Sequence, residues 1–306
     1  NKVKEAQRKG IAGDSLLRNP SYLPVKSNSY KIFHLPKFIW HGIDNQYWHF
    51  LKNTWTLNLG VSDKDGKKII EKIKPALNWT LSIILWSLIL SVPISILWSL
   101  QISANPQGIS SKIFRVISSV IPAIPSFWLA TIVLIFFTGH SYKMPLFYTP
   151  LYSNINDHNF FIVLFSGFKK ISPILFCMML TDVAYLTRLF TYNIESEMKK
   201  PYVLALKAKG YKEYYILWKH VFRNILLPFI TVVTNSIPIA FAGTVIYEVV
   251  FNVNGIGRLL HESIQHADWK IVYYIAMFIL TMTVIIYLIG DYFYTKADPR
   301  INIDKV

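Results

Sequence analysis

The chain has 306 residues, of which 53% are hydrophobic, 15% aromatic and 16% charged, and it carries a formal charge of +15. A soluble domain holds roughly 25% charged residues, and the mean hydropathy of +0.34 lies on the membrane side of that comparison. The apolar residues are gathered into long uncharged runs, which excludes a soluble nucleic-acid binder despite the basic excess, and the single cysteine, Cys177, excludes a disulfide framework or a cysteine-built zinc site.

In chain order, residues 1–75 come first, a basic segment with 14 Lys/Arg against 6 Asp/Glu. A spanning helix needs about 20 mostly apolar residues to cross roughly 30 Å of hydrocarbon. The runs 76–100, 116–138, 225–247 and 271–290 reach that length without a charge, and 171–191 reaches it with Asp182 in mid-span and Arg188 near its end. The run 159–168 is too short to span and reads as interfacial or re-entrant. Trp79, Trp98, Tyr247, Trp269 and Tyr292 stand near run ends, as interfacial anchors do. Pro93, Pro122, Pro125, Pro228 and Pro238 lie inside the runs, where neighbouring helices can satisfy the freed carbonyls. The expectation is an all-α polytopic bundle in a lipid bilayer with five transmembrane helices, divided into an N-terminal segment 1–75 and a transmembrane domain 76–306.

Orientation follows from Lys and Arg in the short loops. Residues 192–224 hold seven basic residues against Glu195, Glu197 and Glu213, which places this loop in the cytoplasm. Alternation then puts 101–115 and the tail after 290 inside, with 139–170 and 248–270 outside. Residues 1–75 fall outside in spite of their charge, because long segments translocate largely regardless of it. That segment shows no cleavable signal, and the chain begins with Asn1. An additional upstream transmembrane helix is therefore expected, the alternative being an N-terminal segment that crosses unaided.

Nothing in the sequence supports catalysis. There is no GxxxxGK[ST], HExxH or GxSxG, and the eight histidines are scattered without a ligand pair. No catalytic residue, metal site or cofactor is expected, and the chain reads as a non-enzyme. The informative stretch is 202–228. From Tyr214 the apolar residues fall at Tyr214, Leu217, Trp218, Val221, Phe222 and Ile225, the spacing of an amphipathic helix. Gly210 precedes it, where a turn between two short helices favours glycine. The stretch is either a protruding helical knuckle or a solvated loop lying on lipid headgroups. Asp182, about eleven residues into its run, sits near the bilayer midplane, where an ionised group costs at least ~2.5–3.5 kcal/mol. It is expected to face the bundle interior or water, either as a carboxyl hydrogen-bonded to a neighbouring helix or as a candidate pathway carboxylate that attracts a cationic amino end. Arg188, six residues on, faces elsewhere. No internal repeat is visible, which weighs against an ion-driven secondary transporter.

The loop resembles the coupling motif, the "EAA" loop, of ABC-transporter permease subunits, and is most similar to the branch importing dipeptides and oligopeptides. The likeness rests on Tyr202, Lys207-Ala208-Lys209-Gly210, Lys219-His220, Arg223-Asn224 and Leu226-Leu227-Pro228. Leu204 stands where the general motif has glutamate and Leu206 where it has its second alanine. Further likenesses, in family order, are Asn58-Leu59-Gly60, Ile124-Pro125-Ser126-Phe127-Trp128-Leu129-Ala130, Glu248-Val249-Val250-Phe251 with Gly255-Ile256-Gly257-Arg258-Leu259-Leu260, and Ala297-Asp298-Pro299-Arg300-Ile301. Asn254 replaces the usual proline.

The resemblance implies a type I importer permease of six helices in the cell (inner) membrane, forming half of a pore with dipeptides or oligopeptides as cargo, and with nickel or another small solute as the alternative. It implies as partners two cytoplasmic ATPase subunits, a second homologous permease and an extracytoplasmic solute-binding protein. It assigns ATPase coupling to Tyr202, Ala205, Ala208, Lys209, Gly210, Tyr214, Leu217 and His220, with Tyr214 and Leu217 entering the ATPase groove and Gly210 making a close turn. No nucleic acid is expected as a partner. A non-transporting scaffold would leave these motifs without a reason.

Overall fold

The computed structural model describes residues 46–56, 58–138 and 159–297. Most of the N-terminal segment, the first part of the expected outer loop after 138, and the residues Asp298, Pro299, Arg300 and Ile301 lie outside the described residues. The chain divides into two compact units, one up to Gly60 and one from Val61 onward. In the first, helix α1 (Gln46–Trp55) is followed by Thr56, whose hydroxyl donates to the Lys52 carbonyl at 2.9 Å.

The second unit is helical, with α2 (Ile69–Ala104), α3 (Ile109–Val120), α4 (Ser126–Val133), α5 (Phe160–Ser166), α6 (Phe168–Met198), α7 (Pro201–Ala208), α8 (Glu213–Val250), α9 (Ile256–Gln265) and α10 (Trp269–Ala297). Among the described residues the only strand-like pairing is an isolated bridge between Val61 and Lys68. Helices α2, α6, α8 and α10 are each long and apolar enough to cross a membrane. The expected division at 75/76 falls inside α2. The apolar run starts at Ala76, but Glu71, Lys72 and Lys74 are competent helix formers, so the helix begins at Ile69. Its 36 residues span about 54 Å at 1.5 Å per residue, well beyond the hydrocarbon thickness.

Of the five expected spans, four are continuous helices and the run 116–138 is a bent pair. It is divided between α3, prolonged by a tight turn to Ala123, and α4, prolonged by a widened turn to Thr138, and the two halves meet at 99°. Pro125 forces Ile124 into an extended conformation (φ −78°, ψ 125°) and supplies no amide to continue the ladder. Hydropathy counts apolar residues and is blind to that change of direction. The short segment after 158 is α5, capped by the Asn159 side chain, which accepts from the Phe161 amide at 3.1 Å. The Trp86 indole ties α5 to α2 by donating to the Leu164 carbonyl at 2.9 Å.

Helices α2 and α6 form the centre. Ser87, Ser91, Ser95 and Ser99, every fourth residue of α2, are all at most 1% exposed. Ser95 donates to the Ser91 carbonyl and lies 3.5 Å from the Val183 carbonyl of α6. Small side chains at this spacing let two helices approach closely where no hydrophobic effect drives them together. Two cores stack along this axis. One gathers Trp79, Ile83, Leu129, Ile174, Cys177 and Tyr247, and the other Leu186, Phe190, Ile194, Val203, Leu217 and Val221. Trp79 and Tyr247 are therefore core residues rather than interfacial anchors, whereas Trp98, Trp269 and Tyr292 are exposed. Cys177 packs in the first core.

Candidate functional site

The stretch after α6 folds as a knuckle. Pro201 starts α7 at its first position, where a missing amide costs nothing. The helix ends in a paired cap: the Gly210 amide donates to the Lys207 carbonyl at 2.9 Å and the Tyr211 amide to the Leu206 carbonyl at 3.3 Å. This pattern requires a left-handed residue, and Gly210 has φ +82°. A Cβ at Gly210 would meet nothing within 4 Å. The glycine is demanded by backbone conformation, not by the crowding of a close turn.

Helix α8 then opens with a widened, π-type turn at Ile216–Val221. The extra residue shifts the faces, so the stripe expected from Tyr214 to Ile225 is split. Leu217, Val221 and Ile225 are buried against Phe190, Ile194 and Val203, together with Ile216, while Tyr214 is 66% exposed. Leu217, at 1% exposure, belongs to the knuckle's base and cannot enter a partner's groove. What the knuckle presents outward is aromatic. Tyr211 stacks on Tyr215 at 5.2 Å, Tyr214 lies 6.0 Å from Trp218, and Lys219 covers the Tyr215 ring at 5.0 Å. The His220 ring stands edge-on to Tyr215 at 5.7 Å. Ala205, Ala208 and Lys209 are exposed, as is Leu204 at the motif's glutamate position.

Tyr202 has a different role. Its hydroxyl donates to Glu197 Oε1 at 3.0 Å and accepts from Asn224 Nδ2 at 3.1 Å, while Asn224 also donates to Glu197 at 3.2 Å. Lys200 pairs with the other carboxylate oxygen at 2.6 Å. Glu197, buried and counted in the sequence only as a charge, is the knot joining α6, α7 and α8. Burial, and then the adjacent Glu197, push the Tyr202 phenol from its ordinary 10.0 up to about 12. A raised pKa favours the protonated form, so the tie is intact below pH 10 and is lost as the pH rises through about 12. Tyr202→Phe removes two hydrogen bonds, the one donated to the charged Glu197 and the one accepted from Asn224, and is expected to cost about 1.5–3 kcal/mol, read as a lower Tm in detergent with the expression level retained.

A second feature lies between α2, α6, α8 and the 99° bend: a cavity of about 510 Å³. Asp182 lines it, half-buried, with Ser87 donating to Oδ2 at 2.7 Å. The carboxyl thus faces inward, as its desolvation cost demands, and Arg188 is exposed on another face.

The third is Glu248, fully buried at the far end of α8. Thr80 donates to its Oε1 at 2.7 Å, the Arg258 amide donates to Oε2 at 3.1 Å, and the Ile256 amide donates to Thr80 Oγ1 at 2.8 Å. The N-terminus of α9 thereby closes over a carboxylate, the favourable polarity for a helix dipole. A Cβ at Gly255 would stand 2.2 Å from Glu248 Cδ. In the sequence, the Glu248 and Gly255–Leu260 strings carry a family likeness but no physical reason for it. A lone acid at the end of an apolar run, followed by a Gly-x-Gly pair, was the available signal.

Residues 91–303, which contain the knuckle, the bend and Glu248, match the family model described as binding-protein-dependent transport system inner membrane component. The oligopeptide transport system permease protein AppB of Bacillus subtilis (strain 168) is 30% identical over 268 residues, covering 85% of this chain and 81% of that protein. The dipeptide transport system permease protein DppB of Alkalihalophilus pseudofirmus is 24% identical, covering 85% and 83%. The nickel import system permease protein NikB of Staphylococcus aureus (strain MRSA252) is 29% identical, covering 83% and 72%. In fold, the chain is similar to a MetNI methionine ABC transporter structure in an inward-facing conformation, with a TM-score of 0.52 at 12% identity, over 75% of this chain and 96% of that one. With well over half its length matched, the chain belongs to the family of binding-protein-dependent transport system inner membrane components.

Proposed function

We propose that this chain is the membrane subunit of an ATP-driven importer of dipeptides or oligopeptides, and that its knuckle receives the motion of cytoplasmic ATPase subunits. The observation that carries the reading is the exposed aromatic surface of Tyr211, Tyr214, Tyr215 and Trp218 mounted on a buried base, in the most basic short loop of the chain. Ala205, Ala208, Lys209, Gly210 and His220 shape that surface, while Tyr202 and Leu217 hold it to the bundle. Two ATPase subunits, a second homologous permease and an extracytoplasmic solute-binding protein complete the transporter in the inner membrane. Docking alone shifts nothing: transport requires that the ATPase subunits bind the knuckle more tightly in one conformation of the bundle than in another.

Peptide cargo is favoured by the names of the oligopeptide and dipeptide relatives, and nickel is the competitor that the NikB likeness supplies. Purification of the tagged chain from its own host tests both halves. ATPase subunits are expected to co-purify with the wild type and to be depleted about tenfold from a Tyr214→Ala/Trp218→Ala double variant, since aromatic anchors dominate such contacts. Uptake of labelled trialanine, and not of nickel, is expected in intact cells. Retention of the ATPase subunits by the double variant would place the docking surface elsewhere. Nickel uptake in place of trialanine would overturn the peptide assignment.

A further inference from the structure

An acidic side chain in the middle of a membrane bundle needs a counterpart, and the surroundings of Asp182 describe what kind. Ser87 of α2 fixes Oδ2 by a 2.7 Å hydrogen bond, so the carboxyl is oriented before anything arrives. Among the described residues lining the cavity, Asp182 is the one carboxyl, and neither Lys nor Arg stands beside it. The remaining lining is chiefly apolar, from Leu88, Met178 and Ile239, with the backbone of the bend at Ile124 and Pro125 forming one wall. The volume of about 510 Å³ falls among small-molecule sites of roughly 300–1,000 Å³. A carboxyl fixed in a chiefly apolar hollow suits a ligand with one positive end and an uncharged body.

We infer that this cavity is a transit site for a primary ammonium group, held by the Asp182 carboxylate, with the amino end of a short peptide as the ligand that supplies it. The inference rests on the peptide-importer reading and adds to it the end of the cargo that is recognised within the membrane. Ser87 is a positioning residue, and Gly243 leaves the hollow open, because a Cβ built there meets nothing within 4 Å.

The test uses cells without peptide uptake of their own, carrying the complete transporter with its partner subunits, and compares trialanine with N-acetyl-trialanine. In the wild type the free peptide is expected to be favoured. Asp182→Asn keeps shape and hydrogen bonding, and is expected to lower trialanine uptake about tenfold, the scale of one charge-assisted contact, while leaving the acetylated peptide unchanged. Asp182→Glu is expected to restore most of the preference. Equal loss for both peptides, or no loss for either, overturns the ammonium site while the importer reading stands. No trialanine uptake by the wild type overturns both. If Asp182→Asn does not reach the membrane, Gly243→Leu decides, because it fills the hollow without touching the charge. Hexaalanine uptake is then expected to fall further than dialanine uptake, and equal uptake of the two overturns the site.

Discussion

Gly255→Ala is expected to abolish accumulation of the folded protein, although it adds a single methyl group. The new Cβ would occupy the position of the Glu248 carboxyl, 2.2 Å from Cδ, so either α9 or the carboxylate must move. Moving the carboxylate breaks its bonds from Thr80 and from the Arg258 amide at the same time. Leaving a buried carboxyl without its hydrogen-bond partners costs about 1–3 kcal/mol for each group left unsatisfied, a large part of a stability of about 5–15 kcal/mol. Size-exclusion chromatography after heating should show a collapsed Tm, or no monodisperse protein at all. Gly243→Ala, where the added carbon meets nothing within 4 Å, serves as the matched control and is expected to behave as wild type. Wild-type thermal behaviour of Gly255→Ala would mean that the Glu248 cradle does not hold α9 in place.

Gly210→Val is expected to uncouple transport from ATP hydrolysis while sparing the bundle. The position is open, so steric fit is not at issue; φ is +82°. A side chain in that region costs about 1–2 kcal/mol, and more when β-branched. At 1.4 kcal/mol per factor of ten, the ratio of properly capped to uncapped knuckle falls about tenfold, and peptide-stimulated ATPase activity should fall by up to that factor. The Tm should hardly change, because the buried base of Val203, Ile216 and Leu217 is untouched. Gly210→Asn should retain activity, since asparagine tolerates the left-handed conformation. If valine and asparagine behave alike, the cap is not what shapes the docking surface.

These expectations show where the sequence is transparent and where it is not. Helices α6, α8 and α10 follow directly from their apolar runs, because the bilayer leaves few other ways to satisfy backbone groups. The break at Pro125 was visible as a residue and invisible as a direction, since the prolines of α2, α6 and α8 lie within continuous helices. The serine seam of α2 escaped notice because serine is close to neutral on hydropathy scales, and its meaning is size. Leu217 and Tyr214, expected on one stripe, are parted onto a buried and an exposed face by one widened turn, which a strict 3.6-residue count cannot represent. Glu197 and Glu248 share a reason for being hard to read: each is completed by a side chain from a distant segment, Asn224 for Glu197 and Thr80 for Glu248, and only the Gly-x-Gly pair after Glu248 marks either locally. Asp182 was the exception, because its position in mid-run alone dictated which way it must face.

The widened turn at the root of α8 also has a mechanical meaning. Ile216–Val221 hold one residue more per turn than an α-helix, and such an excess need not stay where it is. When it slides by one position, the residue it passes rotates by about 100° and advances by about 1.5 Å relative to the helix beyond. The aromatic Tyr211, Tyr214 and Tyr215 of the tip precede this turn and Trp218 lies in it, while the cavity-lining Ser236, Ala240 and Gly243 lie about four to six turns beyond it. A push on the tip therefore has a route to become a twist of α8, as a worm drive turns a shaft, without a hinge and without unwinding the segment between them.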